Sequence, residues 1–273
     1  MFWSSKRDIK LVCFDLDNTL YNFGDAEAQT EANIAKILER DIHKLALKDR
    51  HKNRRTGKSL LNNSLSASTI LGMLNDIKKL HWHCDGTGIP EDFSRSLWFK
   101  ELFDNIDLNT NLGISINSLM KNADAYEKIY WDYLDEKIVF FPNTIKTLKT
   151  LRDMGLKVAM FTDSDGKKQI KIDRIKKAGL EKYFDYILTS DDTGKNKPAA
   201  VNWEQLLKIS NLKAKECIMV GDHPELDLIT AKKLGFITIW TKEFFNTGIH
   251  WKYVDHEIHD IGEIVEIVKK ING

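Results

Sequence analysis

Leu11-Val12-Cys13-Phe14-Asp15-Leu16-Asp17-Asn18-Thr19 is the stretch on which the fold turns. Four apolar residues run without a polar interruption and stop at Asp15, the pattern of a parallel strand buried on both faces that ends in a polar side chain. The pattern recurs at Lys157-Val158-Ala159-Met160-Phe161, Tyr186-Ile187-Leu188, Cys217-Ile218-Met219-Val220 and Ile237-Thr238-Ile239-Trp240. Between these runs lie helix-period stretches over residues 144–154, 168–178 and 227–234, closed by Gly155, Gly179 and Gly235 where helix C-terminal glycines belong. Strand alternating with helix predicts an α/β fold with a Rossmann-like, doubly wound parallel sheet of five or six strands.

Working outward, the segment 22–137 breaks that alternation. It is rich in Lys, Asn, Leu and Ile, and its apolar residues take helical spacing over 26–47 and 119–134, with turn formers dense at Asp85-Gly86-Thr87-Gly88-Ile89-Pro90. The reading is two domains: a core of residues 1–21 and 138–273, and a helical cap of residues 22–137 inserted over the active edge of the sheet. Residues 261–271 read as a closing amphipathic helix.

The 41 basic and 40 acidic side chains of the 273-residue chain cancel, so no global field draws it toward nucleic acid or an anionic membrane. No apolar run is long enough to span a bilayer, and the opening Met-Phe-Trp-Ser-Ser-Lys-Arg-Asp is no signal peptide. A soluble, cytoplasmic protein is expected. Of three cysteines, Cys13 and Cys217 sit inside strand-like runs, which predicts reduced thiols and no disulfide.

Asp15 and Asp17 stand just past a strand end, where open parallel sheets bind ligands. A carboxylate attacking a phosphate meets charge repulsion, so the chemistry needs a divalent cation touching both the attacking group and the phosphoryl oxygens. Further hard ligands come at Val220-Gly221-Asp222-His223-Pro224-Glu225-Leu226-Asp227, with Asp222 the nearest to a strand end. Thr162, ending the second strand, and Lys197, before Pro198, supply the short donor and the fixed cation that a transferring phosphoryl group requires.

Taken in order, Asp15-Leu16-Asp17-Asn18-Thr19, Phe161-Thr162-Asp163, Lys197-Pro198 and Gly221-Asp222 through Asp227 resemble the four motifs of the haloacid dehalogenase superfamily. The resemblance covers the first two dozen residues and nearly everything after Phe141; the insertion matches by position and helical character only. It implies a magnesium-dependent hydrolase of a small phosphorylated metabolite, with Asp15 forming an aspartyl-phosphate and Asp17 serving as acid, then base. It further implies that Thr162 and the amides around Leu16 and Asp163 cradle the phosphate, and that Lys197 neutralises charge. Mg2+ would be held by Asp15, Asp222 and the Asp17 carbonyl, with Asp227 one shell out, orienting Lys197. An acid at position 17 marks the phosphatases and phosphomutases rather than the dehalogenases. A phosphomutase on the same nucleophile is the alternative, followed by a catalytically silent binding protein.

Other signals read more plainly. His81-Trp82-His83-Cys84-Asp85 has no second ligand cluster to complete a transition-metal site. Thr56-Gly57-Lys58-Ser59 resembles the end of a phosphate-binding loop, but Lys52 stands where such a loop needs glycine, and no strand precedes it. Lys52, Arg54, Arg55 and Lys58 read as a solvated face, with a grip on the substrate's leaving group as the functional alternative. Trp82, Trp98, Phe99, Phe103 and Trp131 are expected to fill the core of the insertion.

Overall fold

The computed structural model describes residues 8–53, 65–110, 116–243 and 252–273. The phosphate-loop-like stretch and the basic run near residue 55 therefore lie outside the described residues or their described side chains.

The elements are β1 (Leu11–Phe14), α1 (Phe23–Asn53), α2 (Ala67–Leu80), α3 (Arg95–Thr110), α4 (Asn117–Lys121), α5 (Ala123–Lys137) and α6 (Thr144–Asp153). They continue with β2 (Lys157–Thr162), α7 (Lys168–Lys177), β3 (Tyr186–Thr189), α8 (Val201–Ser210), β4 (Cys217–Gly221), α9 (Ile229–Leu234), β5 (Ile237–Thr241), β6 (His256–Ile258) and α10 (Glu263–Asn272). The strands form one parallel sheet in the order β3-β2-β1-β4-β5-β6. The five predicted strands are all present, and three-residue β6 joins them at the edge.

Period-two alternation divides the apolar strand residues between two layers. Val12, Phe14, Val158, Met160, Ile218 and Val220 pack with Leu148 and Leu151 of α6, Ile175 of α7, and Ile264 and Val268 of α10. Leu11, Cys13, Ala159, Phe161, Cys217 and Met219 pack on the other face with Trp203 and Leu206 of α8 and Ala231 of α9. Cys13 and Cys217 are buried thiols, as expected, and Cys84 is an exposed thiol.

The chain divides into two compact units, one of residues 1–24, 83–90 and 138–273, the other of residues 25–82 and 91–137. The short segment 83–90 thus groups with the sheet although it lies inside the insertion. It docks there because Asn196 donates its backbone N–H to Gly88 O at 3.0 Å and its Nδ2 to Ile89 O at 2.6 Å.

The second unit is helical. Ile34, Leu38, Ile70, Leu74, Trp98, Phe99, Leu102 and Phe103 are buried within it. Trp98, Phe99, Phe103 and Trp131 fill the interior as expected, but Trp82 is 45% exposed, because it follows the end of α2 on a turn rather than facing inward from a helix. Two helical readings are corrected. The stretch 119–134 is split at Asn122 into α4 and α5, and 227–234 begins as a π-helical turn, Pro224–Leu228, before α9. No described helix is long and apolar enough to cross a membrane.

Trp203 has no exposed surface and meets Phe161 edge-on at 5.6 Å between ring centroids, beneath the strand that ends at Thr162. Trp203→Ala is expected to lower unfolding free energy by about 3–5 kcal/mol, the usual cost of emptying so large a buried site, as measured by chemical denaturation. A loss under about 1 kcal/mol would contradict the packing described.

Candidate active site

The three central strands deliver the acids. β1 runs between β2 and β4, and the Asp15 N–H continues the ladder by donating to Val220 O at 2.9 Å. Past Asp15 the chain turns at once: the N–H groups of Thr19 and Leu20 both donate to Leu16 O, and Asn18 takes the left-handed conformation at φ 62° that asparagine tolerates. That turn points Thr19 back at the sheet. Its hydroxyl donates to Asp15 Oδ2 at 2.9 Å and accepts from the Asp222 N–H at 3.1 Å, joining the β1 and β4 ends through one buried side chain.

Lys197 holds the centre. Its ammonium lies 2.5 Å from Asp15 Oδ1 and 2.7 Å from Asp227 Oδ1, and its own N–H donates to Asp163 Oδ1 at 2.9 Å. The other Asp227 oxygen accepts from the His223 N–H at 3.0 Å, so both oxygens of Asp227 are in use. Gly221 permits this, since a Cβ there would stand 2.5 Å from Asp227 Cβ and Cγ. Trp240 Nε1 donates to Asp222 O at 2.9 Å and fixes the β4 loop from β5. Thr162 ends β2, buried, with its hydroxyl donating to Asp163 O at 3.3 Å, and Leu16 is fully buried beneath the first loop.

Asp15, Asp222 and Asp227 each place an oxygen within 4.8 Å of the others. Three buried carboxylates face one ammonium, an excess of two negative charges that a divalent cation would cancel. The electrostatics carry the same sign: burial, with Asp227 and Asp17 nearby, pushes Asp15 up to about 7 despite Lys197. Burial, Asp15 and Asp227 push Asp222 well above the carboxylate range. Burial also lifts Asp163 to about 6 against the pull of Lys197. Burial works against the Lys197 charge, but Asp15, Asp227 and Asp163 overcome it and raise its ammonium well above the ordinary value. Lys197 and Thr19 engage the two oxygens of Asp15, and Lys197 and His223 those of Asp227, whereas the Asp222 carboxylate has only a 3.5 Å contact with the Thr19 hydroxyl. Asp222 is therefore the acid of the three most open to a hard cation, with Asp15 beside it offering its remaining lone pairs.

Asp17 stands apart from this cluster. Its Oδ1 accepts from Tyr21 OH at 2.7 Å and Arg174 Nη1 at 2.8 Å, and its Oδ2 from Lys171 Nζ at 2.8 Å and Arg174 Nη2 at 3.2 Å. Burial alone would raise Asp17, but Arg174 and Lys171 overcome it and hold the carboxyl well below its usual range. Asp165 binds the same two cations from the other side, its oxygens 2.9 Å from Lys171 Nζ and from Arg174 Nη2. The two acids that follow Thr162 thus both turn inward, Asp163 to the Lys197 amide and Asp165 to α7.

Sequence reasoning assigned no role to Thr19, Tyr21, Asp165, Lys171 or Arg174. A signal existed for the last two: Lys171, Arg174 and Ile175 share one helix face at i, i+3, i+4, so the inward stripe of α7 carries two cations.

The chain matches the model of the haloacid dehalogenase-like hydrolase family over residues 9–235. It is 36% identical over 132 residues to glyceraldehyde 3-phosphate phosphatase of Methanocaldococcus jannaschii, a match spanning 48% of this chain and 57% of that one. It is 27% identical over 265 residues to ribulose-1,5-bisphosphate 5-phosphatase of Halopiger xanaduensis, spanning 94% and 98% of the two chains. Among solved structures it is similar to a 2-haloacid dehalogenase from Pseudomonas syringae, with a TM-score of 0.67 at 22% identity, covering 96% of this chain and 99% of that one. A phosphatase from Thermococcus onnurineus gives 0.64 at 21% identity, covering 95% and 98%. At these identities the two structures share the fold.

Asp15 and Asp222 retain protons in the folded state at a pH where unfolded carboxylates have lost them, so the folded state binds more protons and stability falls as pH rises from about 4 to about 7. Asp17 acts oppositely and below that window, its stabilisation being lost as pH drops beneath the unfolded carboxylate value. The melting temperature of metal-free protein is therefore expected to fall between about pH 5 and 7.5, and the rise on adding Mg2+ to be larger at the upper end, where protons no longer compete. Scanning calorimetry at both pH values checks this, and a magnesium effect equal at the two would count against the cation site.

Proposed function

We propose that this chain, which belongs to the haloacid dehalogenase-like hydrolase family, is a magnesium-dependent phosphatase that hydrolyses a small phosphate monoester through an aspartyl-phosphate on Asp15. The observation that carries the reading is the single cluster of Asp15, Lys197, Asp222 and Asp227, assembled at the ends of β1 and β4 with Thr162 ending the adjacent β2. The names of the relatives, glyceraldehyde 3-phosphate phosphatase and ribulose-1,5-bisphosphate 5-phosphatase, support phosphate monoesters of small metabolites as the substrate class.

Asp15 Oδ attacks phosphorus as the ester P–O bond breaks, and the leaving oxygen takes a proton from the Asp17 carboxyl, which can carry one only when turned away from Arg174 and Lys171. Water then attacks the aspartyl-phosphate, gives its proton to the Asp17 carboxylate, and releases phosphate with Asp15 restored. Lys197 holds the nucleophile and offsets charge on the transferring group, while Asp227 keeps that ammonium in place. Thr162 and the amides of Leu16 and Asp163 are the proposed phosphate cradle. Asp15, Asp222 and the Asp17 carbonyl would hold Mg2+, which supplies positive charge beside the attacking and phosphoryl oxygens when bound. The helical insertion of residues 22–137 is the proposed cap, which would exclude water during aspartyl-phosphate formation.

Asp15→Asn keeps the shape of the side chain and removes the nucleophile. Phosphate release from small phosphomonoesters is expected to fall by at least about a thousandfold with the melting temperature preserved. Activity within a few-fold of the parent would reject the mechanism.

Excess chelator is expected to stop turnover of the parent enzyme, and added Mg2+ to restore it. Undiminished rates in chelator would remove the metal from the scheme.

A further inference from the structure

The Asp17 carboxylate sits in a fork-shaped anion cradle, with Tyr21 and Arg174 on one oxygen and Lys171 and Arg174 on the other. Such a fork fits any planar or tetrahedral group with two anionic oxygens, a carboxylate or a phosphate. The cradle is built to stay in place. Asp165, whose side chain is 4% exposed, fixes Arg174 through Nε at 3.1 Å and Nη2 at 2.9 Å, and it also pairs with Lys171. Tyr21 OH is held in turn by Arg174 Nη1 at 2.6 Å.

The exposures are ordered. The side chains of Lys171 and Arg174 are 1% and 2% exposed, whereas that of Asp17 is 24% exposed. Asp17 is thus the member of the cluster with appreciable exposure, and an anion reaching the two cations by way of Asp17 would take the place of its carboxylate.

The charges set the requirement. Two cations against Asp17 and Asp165 sum to zero, and withdrawing Asp17 leaves one uncompensated positive charge among buried groups, which is strongly unfavourable. On the phosphatase reading, Asp17 acts at the leaving oxygen, and its carboxyl cannot serve the cradle and the leaving oxygen together.

We infer that the Tyr21–Lys171–Arg174 cradle is a subsite for a second anionic group carried by the phosphate ester, which takes the place of the Asp17 carboxylate between the two cations. The inference rests on the phosphatase reading and narrows it to esters bearing a carboxylate or a second phosphate.

The test is a three-carbon series assayed for phosphate release with Mg2+: 3-hydroxypropyl phosphate, 3-(phosphonooxy)propanoate and propane-1,3-diyl bisphosphate. The parent enzyme is expected to favour at least one anionic ester over the neutral one by about tenfold or more in kcat/KM, and the two arms separate a carboxylate from a phosphate preference. Arg174→Met is expected to bring that preference to near unity, with Arg174→Lys restoring part of it. Tyr21→Phe, a milder change that removes one hydroxyl, is expected to reduce the preference by a few-fold should the arginine variants fail to fold. Equal kcat/KM across the series in the parent, or an undiminished preference in Arg174→Met, overturns the subsite while leaving the phosphatase reading intact. No phosphate release from any ester overturns both.

Discussion

The Lys197 ammonium between Asp15 and Asp227 is the interaction on which the rest of the site depends. An ammonium taken out of water is strongly disfavoured unless carboxylates stand within hydrogen-bonding reach, and here both do, with Asp163 accepting from the backbone of the same residue. Conversely, without Lys197 the buried carboxylates would have no fixed positive charge among them and could not ionise together. The lysine thus holds together the loops after β1, β2 and β4, which are separated widely in sequence.

The parallel sheet makes that convergence possible. Because β2, β1 and β4 are adjacent and run the same way, their carboxyl ends open on one edge, and residues just past each end are brought together without any long-range turn. The connections then refine the placement. Thr19 spans from the β1 loop to the β4 loop, Gly221 admits Asp227 to the lysine, and Trp240 pins the Asp222 carbonyl from β5. Each is a small local contact whose effect is to fix where a carboxylate points.

Legibility in the sequence follows the range of the interaction. Asp15, Thr162 and Asp222 could be read because each is announced by the apolar run before it, a signal contained in a handful of neighbouring residues. The sheet was readable for the same reason, except β6, whose three residues are too few for a period. Lys171 and Arg174 could not be tied to Asp17, because the partners stand 154 and 157 residues apart and nothing local distinguishes a buried cation on a helix from a solvated one. In the insertion, Trp98, Phe99, Leu102, Phe103 and Ile106 carry the helical spacing of α3, so that helix was legible in period although its aromatic content drew the reading toward core alone. The grouping of residues 83–90 with the sheet was hidden, since it rests on Asn196 reaching Gly88 and Ile89 across more than a hundred positions.

Two buried ion clusters share this edge of the sheet, and their charge sums differ in a way that assigns them different work. Around Lys197, three carboxylates outnumber one cation, and burial together with that surplus raises the proton affinities of Asp15 and Asp222. Such a cluster is incomplete by itself and is suited to take up a cation. Around Lys171 and Arg174 the sum is zero, and the only member that meets solvent appreciably is Asp17. That cluster is complete at rest and becomes deficient only when Asp17 turns away. Only Leu16 separates Asp15 from Asp17, so the surplus and the balanced cluster are mechanically adjacent. With a cation taken up by the first cluster, a phosphate ester with a second anionic group would engage both at once, its phosphoryl end beside that cation and its other anion in the second. A neutral ester would leave the second cluster holding its own aspartate.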